Sequence, residues 1–72
     1  MMEGTVRSVL GVKNYGFIRT DRHKDYFFHR EDFLGHWDDL VEDFEADKVI
    51  KVQFDIGSTP KGPRARNVKL CE

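Results

Sequence analysis

Cysteine is almost absent from this chain of 72 residues: its single thiol, Cys71, lies beside the C-terminus. One thiol closes no intramolecular disulfide and offers no thiolate pair for zinc, which argues against a stapled scaffold, a redox motif or a zinc ribbon and fits a reducing compartment. Long apolar runs are missing as well. No hydrophobic stretch exceeds three residues, far short of the roughly 20 that a membrane helix needs. The opening MMEGTVRSVLG lacks the basic-then-apolar layout of a signal peptide, so a cytoplasmic protein without a membrane partner is expected. Internal repeats and low-complexity tracts are absent too. The length fits one domain, residues 1–72, with no room for a second or for most catalytic scaffolds. A core this small must bury nearly every aliphatic and aromatic side chain on offer.

What the chain does have is segregated charge. The formal net charge is -1, yet residues 31–47 (EDFLGHWDDLVEDFEAD) hold eight of the thirteen acids and no Lys or Arg. The other residues set twelve cations against five acids. This is a basic module carrying an acidic insert, an arrangement that gathers phosphates on one side and repels them on the other.

The hydrophobic pattern is mostly period two. Thr5–Val12, Asn14–Arg19 and Asp25–Arg30 read as three short strands joined by turn-sized links, a meander. Lys48–Ile56 is the clearest strand, Gly57–Pro63 is dense in turn residues, and Ala65–Leu70 is a last short strand. Five such strands predict a small all-β barrel. Between the third and fourth, Trp37, Leu40, Val41 and Phe44 fall at offsets 0, 3, 4 and 7, with Asp38 and Asp39 in the first turn. That spacing predicts one short helix, its apolar stripe plugging the open barrel end.

Alternation also assigns faces. Tyr15, Phe17 and Arg19 share one face of the second strand, with Gly16 and Ile18 on the other. Asp25, Phe27 and His29 share a face of the third, opposite Tyr26 and Phe28. If the parity were inverted, Ile18 would face water and Arg19 the interior, so Tyr15, Phe17 and Phe27 are expected outside. Several exposed aromatics among cations suit a ligand with π-faces and phosphates, that is, single-stranded nucleic acid.

Lys13-Asn14-Tyr15-Gly16-Phe17-Ile18, followed by Tyr26-Phe27-Phe28-His29, resembles the paired ribonucleoprotein motifs of the cold-shock domain family. Gly4-Thr5-Val6-Arg7 and the stretch from Lys61 to Val68 resemble the family's start and end. The resemblance implies a five-stranded antiparallel OB-fold barrel that binds single-stranded RNA and DNA with little sequence preference, bases stacking on the first three strands. It places Lys13, Tyr15, Phe17, Phe27 and His29 at nucleic-acid-contacting positions, with Arg7, Lys61 and Pro63 flanking. Arg19, Asp25, Arg30 and Arg64, which share the face or adjoin it, complete the expected interface.

Departures from the family pattern bear on affinity. Ser8 stands where the family carries a stacking Trp, and Arg30 where it carries a further Phe. Both changes replace stacking area with charge or a hydroxyl, so weaker stacking and more salt-sensitive binding are expected. Asn14 replaces a Gly, and Asn is the residue that best tolerates a left-handed backbone. The acidic insert is longer than the family's usual loop. Within it Trp37 has two open roles, a platform folding over the ligand or an anchor tying the loop to the barrel.

No enzyme is expected. His23, His29 and His36 lack metal-ligand spacing, the insert's acids lack an EF-hand pattern, and Ser8 with His29 lacks a third orienting group. No metal, cofactor or small-molecule substrate is therefore expected; a monomer is the leading expectation, with a dimer left open. The leading reading is an RNA chaperone or regulator of RNA structure. The alternative is a protein-interaction module that uses the acidic insert, with nucleic-acid binding weak or lost.

Overall fold

The computed structural model describes residues 1–71. Its strands are β1 (Met2–Leu10), β2 (Tyr15–Arg19), β3 (Asp25–His29), β4 (Lys51–Thr59) and β5 (Gly62–Leu70), and one helix, α1 (Trp37–Glu45), lies between β3 and β4. Short 3-10 turns at Gly11–Lys13 and Arg30–Asp32 follow β1 and β3. The strands close a barrel in the order β1-β2-β3-β5-β4. Four neighbouring pairs are antiparallel, but the closing pair, β3 with β5, is parallel at Phe27 and Arg64. This is the expected five-stranded antiparallel OB-fold barrel; a closed ring with an odd number of strands cannot alternate direction throughout, so one parallel pair is obligatory.

Alternation puts the expected residues inside. Ile18 on β2 and Phe28 on β3 are completely buried, as are Val52, Phe54, Ala65 and Val68 from β4 and β5. Tyr26 packs beside Phe54 with ring centroids 5.5 Å apart. Each buried Val, Ile or Phe among them contributes roughly 1.5–3 kcal/mol relative to exposure. Gly16, on the same inward face, leaves no room for a side chain: a Cβ there would collide with the Ser8 carbonyl oxygen and lie 2.9 Å from the Phe28 ring. Gly16→Ala is therefore expected to cost roughly 1–3 kcal/mol through overpacking of β1 against β2, read as a lower melting temperature by circular dichroism.

A bulge in β1 sets what reaches the other face. Val6 pairs with inward Ile18, yet Ser8 pairs with outward Phe17, because the register slips between Val6 and Ser8. Two residues that simple alternation places on the same face are thereby sent to opposite ones. Asn14 holds the β1–β2 link in the left-handed conformation, φ 61°, and its carbonyl accepts the Arg30 N–H at 2.8 Å. The β4–β5 hairpin is longer than its Gly/Pro content suggests. Gly57–Pro63 reads as turn, but pairing continues to Thr59 and Gly62, leaving only Pro60 and Lys61 outside the strands. The Thr59 hydroxyl stabilises that tip, donating to the Gly62 carbonyl at 2.6 Å.

Helix α1 covers one end of the barrel. Its stripe turns inward, with Trp37 and Leu40 buried and Val41 and Phe44 packed against the core from its rim. Asp38 and Asp39 occupy the first turn, where their charge complements the helix dipole. Trp37 is only 5% exposed and meets Phe28 edge to face, centroids 5.9 Å apart.

Candidate nucleic-acid interface

The outer face of β2 and β3 is built in three rows by their register: Tyr15 opposite His29, Phe17 opposite Phe27, Arg19 opposite Asp25. The three aromatic rings on this face touch one another. Tyr15 and Phe27 lie 5.4 Å apart, Phe17 and Phe27 5.9 Å, and Tyr15 and Phe17 6.0 Å in an edge-on arrangement. All three are half-buried, so each ring is braced by its neighbours while keeping area open to solvent. Rings fixed in this way present π-faces without losing side-chain entropy on binding.

Charged groups surround the rings. At one end Arg19 donates to both carboxylate oxygens of Asp25, at 2.9 and 3.3 Å. That hydrogen bond, together with the positive charge of Arg19 and of Arg7, holds the Asp25 carboxyl below its ordinary range, against an opposing desolvation effect. The interaction is intact at neutral pH and is lost as acid protonates Asp25, so it adds to stability only above that point. Arg7 lies at this end too, sharing a cleft with Arg19 and His23. At the opposite end Lys13 and Arg30 are exposed, beside the Tyr15–His29 row.

A buried carboxylate organises the remaining edge. Asp32 accepts the His29 backbone N–H at 2.9 Å and the Arg64 Nε–H at 2.6 Å, and it lies 4.0 Å from Arg66. Held there, the Arg64 guanidinium lies 5.9 Å from the Phe27 ring centroid. Its hydrogen bond to Asp32 outweighs desolvation and raises its pKa above the ordinary arginine value, so it stays cationic. His29 is oriented as well. Its Nδ1 accepts the Glu31 N–H at 3.1 Å, which pins the ring beside the β3 end. Lys61, Pro63 and Arg64 line a cleft of about 480 Å³ together with Phe27.

The structure thus gathers Tyr15, Phe17, Arg19, Asp25, Phe27, His29 and Arg64 on one surface, with Arg7, Lys13, Arg30, Lys61 and Pro63 at its margins. Trp37 is the correction. It was a candidate ligand platform, but it lies in the core as an anchor, so it presents no face for stacking. Its Nε1–H is buried without an acceptor among the described residues. Removing that donor while keeping an aromatic ring offsets part of the lost volume. Trp37→Phe is accordingly expected to cost less than about 1.5 kcal/mol, against roughly 3–5 kcal/mol typical of an aromatic-to-alanine change in a core; a urea denaturation curve reads the difference.

Asp32 is the residue that sequence reasoning missed. It belongs to the acidic insert, read as a solvated face, and its partner is 32 positions away. One local signal was available: His29 and Asp32 have the spacing of a capping box and form one in the structure.

A closed five-stranded barrel with an exposed aromatic cluster inside a ring of cations defines a small nucleic-acid-binding domain. The comparisons with known proteins agree. The family description "'Cold-shock' DNA-binding domain" matches residues 2–71. The chain is 42% identical over 65 residues to the retron Se72 cold shock-like protein of Salmonella heidelberg, covering 90% of this chain and 91% of that one. It is 41% identical over 69 residues to a cold shock-like protein of Aquifex aeolicus, covering 93% and 90%. With a cold shock-like protein of Thermotoga maritima it shares 35% identity over 75 residues, covering 99% of this chain and 100% of that one. The chain belongs to the cold-shock domain family, whose members bind single-stranded nucleic acid and are not enzymes. No helix among the described residues is long and apolar enough to cross a membrane.

Proposed function

We propose that this protein captures single-stranded RNA or DNA on the outer face of β2 and β3, and acts in the cytoplasm as an RNA chaperone or regulator of RNA structure. The observation that carries this reading is the cluster of Tyr15, Phe17 and Phe27, mutually braced and half-exposed. Each base stacked on such a ring gains roughly 1–3 kcal/mol with little regard to sequence. Arg7, Lys13 and Lys61 at the margins meet phosphates, releasing counterions and making affinity fall with salt. With Ser8 opposite Phe17 and Trp37 buried, the sheet supplies three rings, so charge carries a larger share of the binding energy.

Holding the unpaired strand opposes hairpin formation by mass action. The stabilisation grows with the logarithm of free protein over its dissociation constant, and no nucleotide hydrolysis is needed. The test is a fluorophore–quencher RNA hairpin titrated with protein: opening that saturates and is reversed by salt supports the chaperone role. Tight binding to an unstructured strand with no hairpin opening limits the function to binding. No binding to either strand favours the acidic insert as a protein-docking element. Lys13→Ala is expected to weaken binding uniformly across sequences and to reduce the slope of log affinity against log salt by about 0.7 for one lost phosphate contact on a single strand, measured by anisotropy over a salt series.

A further inference from the structure

Beside the aromatic face, the start of α1 and the turn after β3 enclose a cleft of about 410 Å³ lined by Arg30, Gly35, His36, Trp37, Asp38 and Asp39. A guanidinium and two carboxylates share this space, yet among the described residues no ion pair within 4.0 Å joins Arg30 to either acid. Trp37 forms part of the wall, and its Nε1–H is a buried donor with no acceptor among the described residues.

The chemistry of the lining restricts the occupant. A phosphate is attracted by Arg30 but repelled by two carboxylates, and a free cation meets the reverse conflict. A neutral planar group with acceptors on one side and donors on the other satisfies both. Guanine fits most fully: its O6 and N7 accept the two-pronged guanidinium, and its N1–H and 2-amino group donate in parallel to one carboxylate. Cytosine, adenine and uracil each offer fewer donors to the acid side. The acids also keep the strand's phosphates out, so that a base edge enters rather than the backbone.

Resting on the proposed single-strand binding at the β2–β3 face, we propose that the cleft between Arg30 and Asp38–Asp39 is a base-reading pocket that selects guanine. It adjoins the Tyr15–His29 row, since Arg30 follows His29 directly and its N–H is bonded to the Asn14 carbonyl. A strand stacked on that row delivers its next base to the cleft. The pocket therefore adds sequence preference to a sheet that has little of its own.

The test is anisotropy with the full chain and a pyrimidine oligonucleotide carrying one guanine at each position in turn, with adenine or inosine replacing it for comparison. At one position guanine is expected to bind roughly tenfold more tightly than any other base, with inosine, which lacks the 2-amino group, in between. The Asp38→Asn, Asp39→Asn double variant is expected to lower the guanine-to-pyrimidine ratio several-fold while all-pyrimidine binding is kept or strengthened. No preference for guanine at any position in the wild-type protein overturns the inference, whatever the variant's stability. A guanine preference undiminished in a folded double variant also overturns it. Absence of binding to every oligonucleotide overturns instead the single-strand reading on which it rests.

Discussion

Replacing Phe17 and Phe27 together by alanine is expected to weaken binding of a pyrimidine single strand by about 2–5 kcal/mol, from roughly 1–3 kcal/mol per stacked base. The two rings touch, at 5.9 Å between centroids, so the double change is not expected to equal the sum of the single ones. Removing Phe27 also takes away the surface over which Arg64 sits. The barrel should stay folded, because both rings point outward and are half-exposed. Phe28 is the internal control. It directly follows Phe27 in β3 but is completely buried, so Phe28→Ala should cost roughly 3–5 kcal/mol of stability and lower binding only through unfolding. Oligonucleotide affinity and the urea midpoint, measured on both variants, separate a binding surface from a core.

Asp32→Ala is expected to destabilise the barrel by roughly 2–4 kcal/mol, read from the urea midpoint. Removing one partner of a buried ion pair costs about 3–5 kcal/mol when both groups are desolvated. Here Asp32 is 5% exposed but Arg64 is 31% exposed, so water recovers part of that loss at Arg64. The cap on His29 is lost as well, since its N–H donates to the same carboxylate. Binding should weaken together with stability, because Arg64 and His29 both lose their orientation beside Phe27. Asp32→Asn separates the contributions: it keeps an acceptor for the His29 N–H but not the charge that holds Arg64. Its cost should fall between that of alanine and zero.

These two outcomes divide along what was legible in the sequence. Period-two alternation located Ile18, Tyr26 and Phe28 inside and Tyr15, Phe17 and Phe27 outside, because burial on one face enforces register along a whole strand. The 0, 3, 4, 7 stripe located α1 for a similar reason. Features that depend on distant pairing were not legible. The parallel contact of β3 with β5 follows from ring closure, and the Asp32–Arg64 pair joins residues on either side of the helix. Trp37 stayed ambiguous because an anchor and a platform both need an aromatic at that position; only its packing against Phe28 decides. The Gly57–Pro63 segment read as turn because glycine and proline are usual there, whereas a two-residue tip lets the hairpin absorb most of them into strands. The β1 bulge, which sends Ser8 outward opposite Phe17, left no compositional mark.

The most direct test of the account is an anisotropy titration of a labelled pyrimidine single strand with the wild-type protein and the Phe17→Ala, Phe27→Ala variant, each at two salt concentrations. The account predicts saturable wild-type binding that weakens at the higher salt, and a folded variant whose affinity is lower at both. Equal affinity of the folded variant and the wild-type protein would contradict it, placing the binding energy elsewhere than on the aromatic face.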